Sequence, residues 1–565
     1  MKKQEYFNQV DEVNFESNKN LNDINIDKNI VIDNDEENEN KTEVVKVINE
    51  NNKLKNILEG SKNNLPNEFT LEKEKKCDTF GSSTTGQEKN LDKELNDKNE
   101  NYLTFNELES RSIEKDKPKK LIDELINDLG ITSYTLRVLA ILSLFNLADG
   151  GEFLVISLLT SKLGDIWKLT HSQKGTLGSI VFIGHFVGVW ISGKVSDNYG
   201  RRPAFLLGSF LATLFALCSA FSWDFNSLLV LRALFGFGVG MLSPSANSMA
   251  TEVSPTKYRS WTINLIGGFY PLGQTYAITV ARNYLEGENG WRILLAAVSF
   301  PTALCCLSSF FIHESPRYFL ASKQFDKAFE SLDKIFSYST IKVVFTEEMK
   351  KRIIEEESLT IEANYSSLLD KKYLKLTIQM CFTFLILSFS YYGTIYILPQ
   401  LMLAENTKTM NTKDSQSKMY DGLIISAFAE LPSVVLCAYI ANVKLLGRIK
   451  SMSIGFAFAS ISASLCAFYL QHLNIFSSLY KFMLDIPYNI IYVYVLEAYP
   501  TKIRSISFGT CYMFNRIGGI ITPICAQFLF AIHTSGPFLF YAFLALGGVF
   551  LTAYLPFETL DREIE

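Results

Sequence analysis

The nine residues EVSPTKYRS, from Glu252 to Ser260, return as EAYPTKIRS from Glu497 to Ser505, with six of nine positions identical and an offset of 245. Other marks keep nearly that offset. Gly200-Arg201 answers to Gly447-Arg448, 247 residues on, and Glu314 to Glu558, 244 on. Gly267-Gly268 before Pro271 answers to Gly518-Gly519 before Pro523, 251 on. A repeat of this length decides the architecture before any single motif is read. The chain between the marks consists of apolar segments long enough to cross a bilayer. Two copies running in the same direction imply two parallel six-helix halves, with a site between them near the midplane.

The 565 residues change character sharply near residue 118. Residues 1–118 are rich in Asn, Lys, Glu and Asp and carry no long apolar run. Such a segment cannot bury enough surface to offset its ordering entropy, and it reads as a disordered cytoplasmic tail without a signal-peptide core. The net charge of −5 owes much to this tail, and no compact basic patch points to nucleic acid. The nine cysteines form no CxxC pair and no Cys/His cluster. Cys218, Cys381, Cys437, Cys466, Cys511 and Cys525 all fall inside apolar segments. Packing in the membrane explains them better than a metal site or a disulfide framework, so no metal or cofactor is expected.

Twelve windows can cross about 30 Å of hydrocarbon as helices. They are 134–160, 174–193, 203–222, 227–250, 261–283 and 292–312, then 376–400, 419–441, 452–471, 475–496, 506–531 and 538–556. The connections after spans 2, 4, 8 and 10 carry Lys194, Arg201, Arg202, Lys257, Arg259, Lys444, Arg448, Lys450, Lys502 and Arg504, which marks their side as cytoplasmic. Both termini then lie in the cytoplasm. The expectation is an all-α membrane protein of twelve transmembrane helices in two parallel six-helix pseudo-repeats. Its parts are a tail (1–118), a first bundle (119–320), a cytoplasmic linker (321–373) and a second bundle (374–565). Within the linker, AFESLDKIF and EEMKKRIIEEE read as short amphipathic helices.

The loop GKVSDNYGRRPAF, with Gly193, Asp197, Gly200, Arg201 and Arg202, resembles the best-known loop signature of the major facilitator superfamily. LVLRALFGFGVG in span 4 resembles a second signature, and HESPRYFL and LPFETLDR close spans 6 and 12 as in sugar-porter-like members. The resemblance runs from 134 to 562. SFSYYGTIYILPQL in span 7, AFAELPSVVL in span 8, YVYVLEAYPTKIRS at span 10 and NRIGGIITP in span 11 look like the organic-ion and synaptic-vesicle-protein-related branch. That resemblance implies a carrier of a small organic solute, such as nicotinate or pantothenate. Span 7 lacks the Gln-Gln and Asn pattern expected of hexose carriers, and Gln274 alone does not restore it.

Asp149, Glu152, His185, Arg232, Glu430, Lys481, Asp485 and Arg516 lie inside apolar windows. Each acid or base near a helix centre costs about 2.5–3.5 kcal/mol on insertion, so they are expected to face the bundle interior. Asp149 and Glu152 are three apart and share a helix face. One of them can load and release a proton, or both can form a structural patch with Arg232. Arg516 is a candidate grip for a substrate carboxylate through two parallel hydrogen bonds, or a fixed partner of Asp485. Lys481 and Asp485, four apart, can pair along span 10. Glu430, just before Pro432, is either a further proton site, as is Asp485, or a cap at a helix break. His185, between Gly184 and Gly188, reads as a packed histidine. Gln274, Tyr391, Tyr392 and Asn489 are candidate substrate contacts.

The loop charges Asp197, Arg201, Glu252 and Arg259 in the first half, and Arg448, Glu497 and Arg504 in the second, are expected to form a cytoplasmic gate that breaks as the halves rock. Glu314, Arg317 and Glu558 brace the same face. The resulting expectation is a monomeric secondary transporter in the lipid bilayer, with the plasma membrane favoured. Its solute is an organic anion or vitamin-like metabolite, moved with a proton. A facilitative sugar or polyol uniporter and a non-transporting receptor or scaffold built around the tail are the alternatives. Nothing resembles an enzyme: no nucleotide loop follows a strand, and no nucleophile–base constellation is visible.

Overall fold

A computed structural model describes Tyr102–Leu103 and residues 121–560, apart from 256–257, 340–341, 344, 359–367, 369, 441–442, 444–445 and 500–502. The expected tail 1–118 lies outside the described residues except for Tyr102–Leu103 (β1). These two residues pair in parallel with Lys342–Val343 (β2).

The described residues are otherwise helical. Helix α1 (Leu121–Leu129) precedes the first half, which comprises α2 (Ser133–Ile166), α3 (His171–Tyr199), α4 (Arg201–Ser219), α5 (Phe225–Val253), α6 (Arg259–Gly267), α7 (Phe269–Tyr284), α8 (Gly290–Val298) and α9 (Phe300–Ser309). The linker holds α10 (Pro316–Ala321), α11 (Phe325–Phe336) and α12 (Glu347–Ser358). The second half comprises α13 (Lys371–Asn406), α14 (Thr412–Phe428), α15 (Glu430–Ile440), α16 (Gly447–Phe468), α17 (Leu473–Ala498), α18 (Arg504–Ile532) and α19 (Gly536–Ala553). Span 5 is α6 with α7, span 6 is α8 with α9, and span 8 is α14 with α15.

Among the described residues, ten helical segments are long and apolar enough to cross a membrane. The other two windows are helical but fail that measure for visible reasons. Asn264 and Gln274 interrupt the apolar run of span 5, and α17 carries Lys481, Asp485 and Asn489 in its interior. The three broken spans share a cause. Proline has no N–H to donate and its ring crowds the carbonyl four residues back. Pro271, Pro301 and Pro432 each follow the break by two or three residues.

Helix starts are set locally. Thr170 and Asp224 close reciprocal capping boxes with Gln173 and Ser227 at the heads of α3 and α5. Gly200 (φ 111°) and Gly447 (φ 65°) turn the chain at equivalent places in the two repeats, where glycine is favoured.

Packing repeats as the sequence does. In the first half span 2 packs on 4, 3 on 4, 1 on 5, 3 on 6 and 1 on 6. In the second half 8 packs on 10, 9 on 10, 7 on 11, 9 on 12 and 7 on 12. The halves meet where span 2 lies on 11, 5 on 8 and 1 on 7. These are the pairings that a two-fold relation between parallel halves produces. Beside the main core, α1, α10, α11 and α12 bury a second apolar cluster of Leu121, Ile122, Leu125, Leu320, Phe329, Leu332, Met349 and Ile353. The Asp123–Arg317 ion pair at 2.5 Å ties α1 to α10. Both linker helices expected from sequence are present, whereas α1 was missed.

Candidate functional site

Near the middle of span 1, Asp149 and Glu152 part company. Glu152 is 1% exposed and forms an ion pair at 2.7 Å with Arg232 of span 4, which is fully buried. Asp149 is only partly buried, near enough to Arg516 and Glu152 to feel both charges, and has no ion pair or hydrogen bond to another described residue. His185 is buried against the Ser243 hydroxyl at 3.2 Å.

Across the interface, Arg516 is 4% exposed. Its bonds go to phenols rather than to a carboxylate: Nη1 donates to Tyr392 at 3.2 Å and Nη2 to Tyr512. Its Nε is buried without a partner. The alternative that Asp485 holds Arg516 is therefore incorrect. Asp485 instead accepts from Ser433, and its backbone carbonyl accepts from Asn489 Nδ2 at 2.9 Å.

The expected Lys481–Asp485 pair is also replaced. Lys481 forms its ion pair with Glu430 of span 8 and donates to Gln274 Oε1 at 2.9 Å. Tyr391 donates to Glu430 at 2.8 Å, and Gln274 Nε2 donates to Tyr391 at 3.3 Å. Gln274 is thus the first-half member of a buried cluster otherwise built from spans 7, 8 and 10. Glu430 also starts α15, so the two roles left open for it share one position.

An aromatic series runs from this centre. Phe153 and Phe182 each meet Tyr392 edge-on, with centroids 4.9 and 4.8 Å away. Tyr391 meets Tyr392 at 5.6 Å and Tyr488 at 5.2 Å. Tyr488 then meets Tyr492 at 5.8 Å, and Phe508 stacks on Tyr512 at 5.8 Å and 12°. Tyr270, Tyr488, Tyr492 and Tyr512 remain only partly buried. Sequence reading missed Tyr488, Tyr492 and Tyr512. Their signal was spacing: Tyr488 and Tyr492 are four apart, and Tyr512 lies four before Arg516, so each pair shares a helix face.

At the face carrying the repeated motifs, the loop residues bond within their own halves. Arg201 Nη1 pairs with Asp197 at 2.8 Å and bonds Ser196 at 2.7 Å. Arg448 pairs with Glu497 at 3.0 Å. Glu314 Oε1 accepts from the Arg201 backbone N–H at 2.9 Å, and Glu558 accepts from Arg448 and Ile449 N–H at 2.8 and 2.9 Å. These carboxylates cap helix N-termini, where the unsatisfied N–H groups and the helix dipole favour an anion. Asp197 and Arg201 thus pair with each other within the first half and do not reach across the two-half interface. Glu252 accepts from Ser248 at 3.2 Å, and Arg504 Nε donates to the Tyr499 carbonyl at 3.4 Å. The Arg259 side chain lies outside the described residues. Burial pushes the Glu314 carboxyl above its ordinary range, and the N–H groups of Ser315, Arg202 and Arg201 pull it back.

Hydrogen bonds between the halves are concentrated toward the opposite face. Tyr396 donates to the Lys174 carbonyl at 2.6 Å, Ser179 to the Ile520 carbonyl at 2.6 Å, and Ser157 to the Tyr396 carbonyl. Arg282 pairs with Asp421 at 2.6 Å. Among the described residues no group of three or more His, Cys, Asp or Glu is arranged to hold a metal ion.

Residues 128–565 match the family model described as "Sugar (and other) transporter". The chain is 26% identical over 460 residues to the Synaptic vesicle 2-related protein of Xenopus laevis, covering 79% of this chain and 82% of that one. It is 26% identical over 489 residues to Organic cation/carnitine transporter 7 of Arabidopsis thaliana, covering 78% and 95%. Among solved structures it resembles the xylose transporter XylE from E. coli in a partially occluded inward open conformation. The TM-score is 0.61 at 18% identity, over 76% of this chain and 100% of that one, a likeness of fold.

Proposed function

The chain belongs to the sugar (and other) transporter family of the major facilitator superfamily, as a multi-pass membrane transporter and not an enzyme, and from that premise we propose that it carries a small organic anion together with a proton by alternating access. The observation behind this reading is Arg516. A permanent cation is held dry among phenols, with its Nε unbonded and no carboxylate on it. A buried donor left without an acceptor is costly, and a substrate carboxylate would meet that need. Asp149 is the proposed proton carrier. It lacks the fixed cation that Glu152 has in Arg232, and it lies within Coulomb reach of Arg516 in the other half. Ionised Asp149 balances the charge of Arg516 in the empty carrier. When Asp149 takes a proton, that positive charge is released to the substrate carboxylate. Anion and proton then travel as a neutral load, which lowers the Coulomb cost of moving either alone through a low-dielectric interior.

Glu430 and Asp485 serve on this reading as a second acidic centre. Gln274, Tyr391 and Asn489 frame it, and Tyr392 orients Arg516. The face of the repeated loops is proposed as cytoplasmic, from their positive charge. With both termini there, the bonds at the opposite face hold the carrier facing inward. Asp197, Arg201, Glu252, Arg259, Arg448, Glu497 and Arg504 then form the rim that re-pairs when the outer side opens. A monomer in the plasma membrane is the proposed working form.

The test is uptake by the purified protein in proteoliposomes, with and without an imposed pH gradient. Accumulation of a carboxylate against its own gradient only when the proton gradient is present, and its loss in Asp149→Asn, is the expected result. Equilibration indifferent to pH rejects coupling. Uptake of glucose in place of any carboxylate favours the sugar uniporter, and absence of all flux favours the receptor or scaffold.

A further inference from the structure

We propose that the protein has a second ligand site on the face of the repeated loops, a cleft that takes a small apolar amine and, once filled, slows the carrier. The cleft lies where the ends of spans 1, 4 and 6 meet α1, α10 and α11, and all of its lining residues lie between Ile122 and Phe336. It has about 690 Å³ of empty space, its open mouth included. Pockets for drug-sized ligands run to roughly 300–1,000 Å³. The wall is mostly apolar: Ile126, Val138, Met249, Ile312, Leu332 and Phe336 come to it from α1, spans 1, 4 and 6, and α11.

Two polar groups on this wall are unspent. Ser315 is 7% exposed, and its hydroxyl has no partner among the described residues. Glu252 accepts from Ser248 through Oε1, while its Oε2 is buried and without a partner among the described residues. A buried acceptor without a donor is costly, and more so when it carries charge. The other charged groups at the cleft are already met. Arg317 forms its ion pair with Asp123 at 2.5 Å. Glu314 accepts from the backbone N–H groups of Arg201, Arg202 and Ser315. His313 meets the Tyr338 hydroxyl through Nε2 at 3.5 Å.

An apolar cleft with one carboxylate oxygen and one hydroxyl unspent calls for a hydrocarbon body bearing a donor. An ammonium group serves both, because it has three N–H bonds to give and its charge strengthens the bond to Glu252. An anionic amphiphile is disfavoured, since it would add a third negative charge to Glu252 and Glu314, which already feel each other. The effect on transport rests on the alternating-access reading above. Glu252 belongs to the rim that re-pairs when the outer side opens, so an amine held on it keeps the carrier facing inward.

The experiment measures binding of 4-phenylbutylamine, 4-phenylbutanol and 4-phenylbutyrate to the purified full-length protein by titration calorimetry. The three share one body and differ in the head. The amine is expected to bind at least about tenfold more tightly than the alcohol. That margin should vanish in Glu252→Gln, and Ser315→Ala should weaken the amine by about three- to tenfold. In proteoliposomes the amine should lower the maximal rate of carboxylate uptake without raising KM. Ser315→Ala should transport normally and need about three- to tenfold more amine for the same inhibition. Equal affinity for amine and alcohol in the unaltered protein overturns the site, as does amine binding that survives Glu252→Gln unchanged. Inhibition that raises KM instead places the amine in the central cavity and also overturns it. Absence of carboxylate uptake overturns the anion reading alone, and the binding comparison still decides the site. Because the deciding ratio is read on the unaltered protein, a variant that fails to fold does not rescue the proposal.

Discussion

The two halves agree at their motif-bearing rim and disagree at their middle. At the rim, Gly200 and Gly447 turn the chain at positive φ, and Glu314 and Glu558 cap the helix that follows. Midway along the helices the first half holds one closed ion pair, Glu152–Arg232, and one uncommitted acid, Asp149. The second half holds the Glu430–Lys481 pair, Asp485, Arg516 and most of the tyrosines. A duplicated rim beside an unlike middle supports the proposal that the rim serves the motion both halves share and the middle serves the solute. Positions that resist divergence are those where backbone geometry leaves no other residue type, as at a left-handed turn.

The largest expected effect concerns the buried pair of the first half. Arg232→Leu or Glu152→Leu alone leaves an uncompensated charge and should cost about 3–5 kcal/mol, whereas the double replacement should restore most of that. Thermal unfolding of the purified protein in detergent measures it. If each single change leaves the melting temperature alone but removes transport, Glu152 is a working group, and the contrast drawn with Asp149 fails.

Next comes Arg516 of the second half. Arg516→Lys keeps the charge but loses the planar fork, so carboxylate uptake should fall by about 10- to 100-fold with the fold intact. Uptake kinetics beside a melting curve separate the two effects. A variant that melts early and transports normally at low temperature would make Arg516 a counterpart of Arg232 and erase the difference between the halves.

Much of this was legible in the chain because both of its strongest signals are one-dimensional. The duplicated EVSPTKYRS and the apolar windows marked out the two halves and the spans, since hydrocarbon thickness and backbone satisfaction act on each segment alone. Pairing was less legible. Spacing of four put Lys481 beside Asp485, yet the ammonium reaches Glu430 on another helix. Rotation of a helix about its axis is set by its neighbours, and no local pattern records it. Arg516 was found because a lone cation in an apolar window has no cheap explanation. Its tyrosines were missed because each is ordinary by itself.

The turns give the third effect. Gly200→Ala and Gly447→Ala each force a side chain into the left-handed region, at about 1–2 kcal/mol. A Cβ on Gly447 would also meet Glu558 Oε2 at 2.6 Å. The two variants should lose similar stability. A large loss at one and none at the other would mean that the rim is not duplicated in function.

The smallest effect tests whether the two caps are alike. Glu558→Gln removes the charge from a helix N-terminus and should cost about 0.3–1 kcal/mol. Glu314→Gln makes the same change where burial already opposes ionisation. A carboxyl whose folded value lies above its ordinary 4.5 stabilises the fold most at low pH and loses that contribution as pH rises through the folded value. The Glu314→Gln variant keeps the uncharged state at every pH and so escapes the cost of ionising a buried group. Melting curves should therefore put it level with the unaltered protein near pH 4 and above it near pH 8. A variant that instead falls below the unaltered protein as pH rises would mean that the three N–H donors outweigh burial at Glu314, and that the charge of Glu314 is part of what holds the rim together.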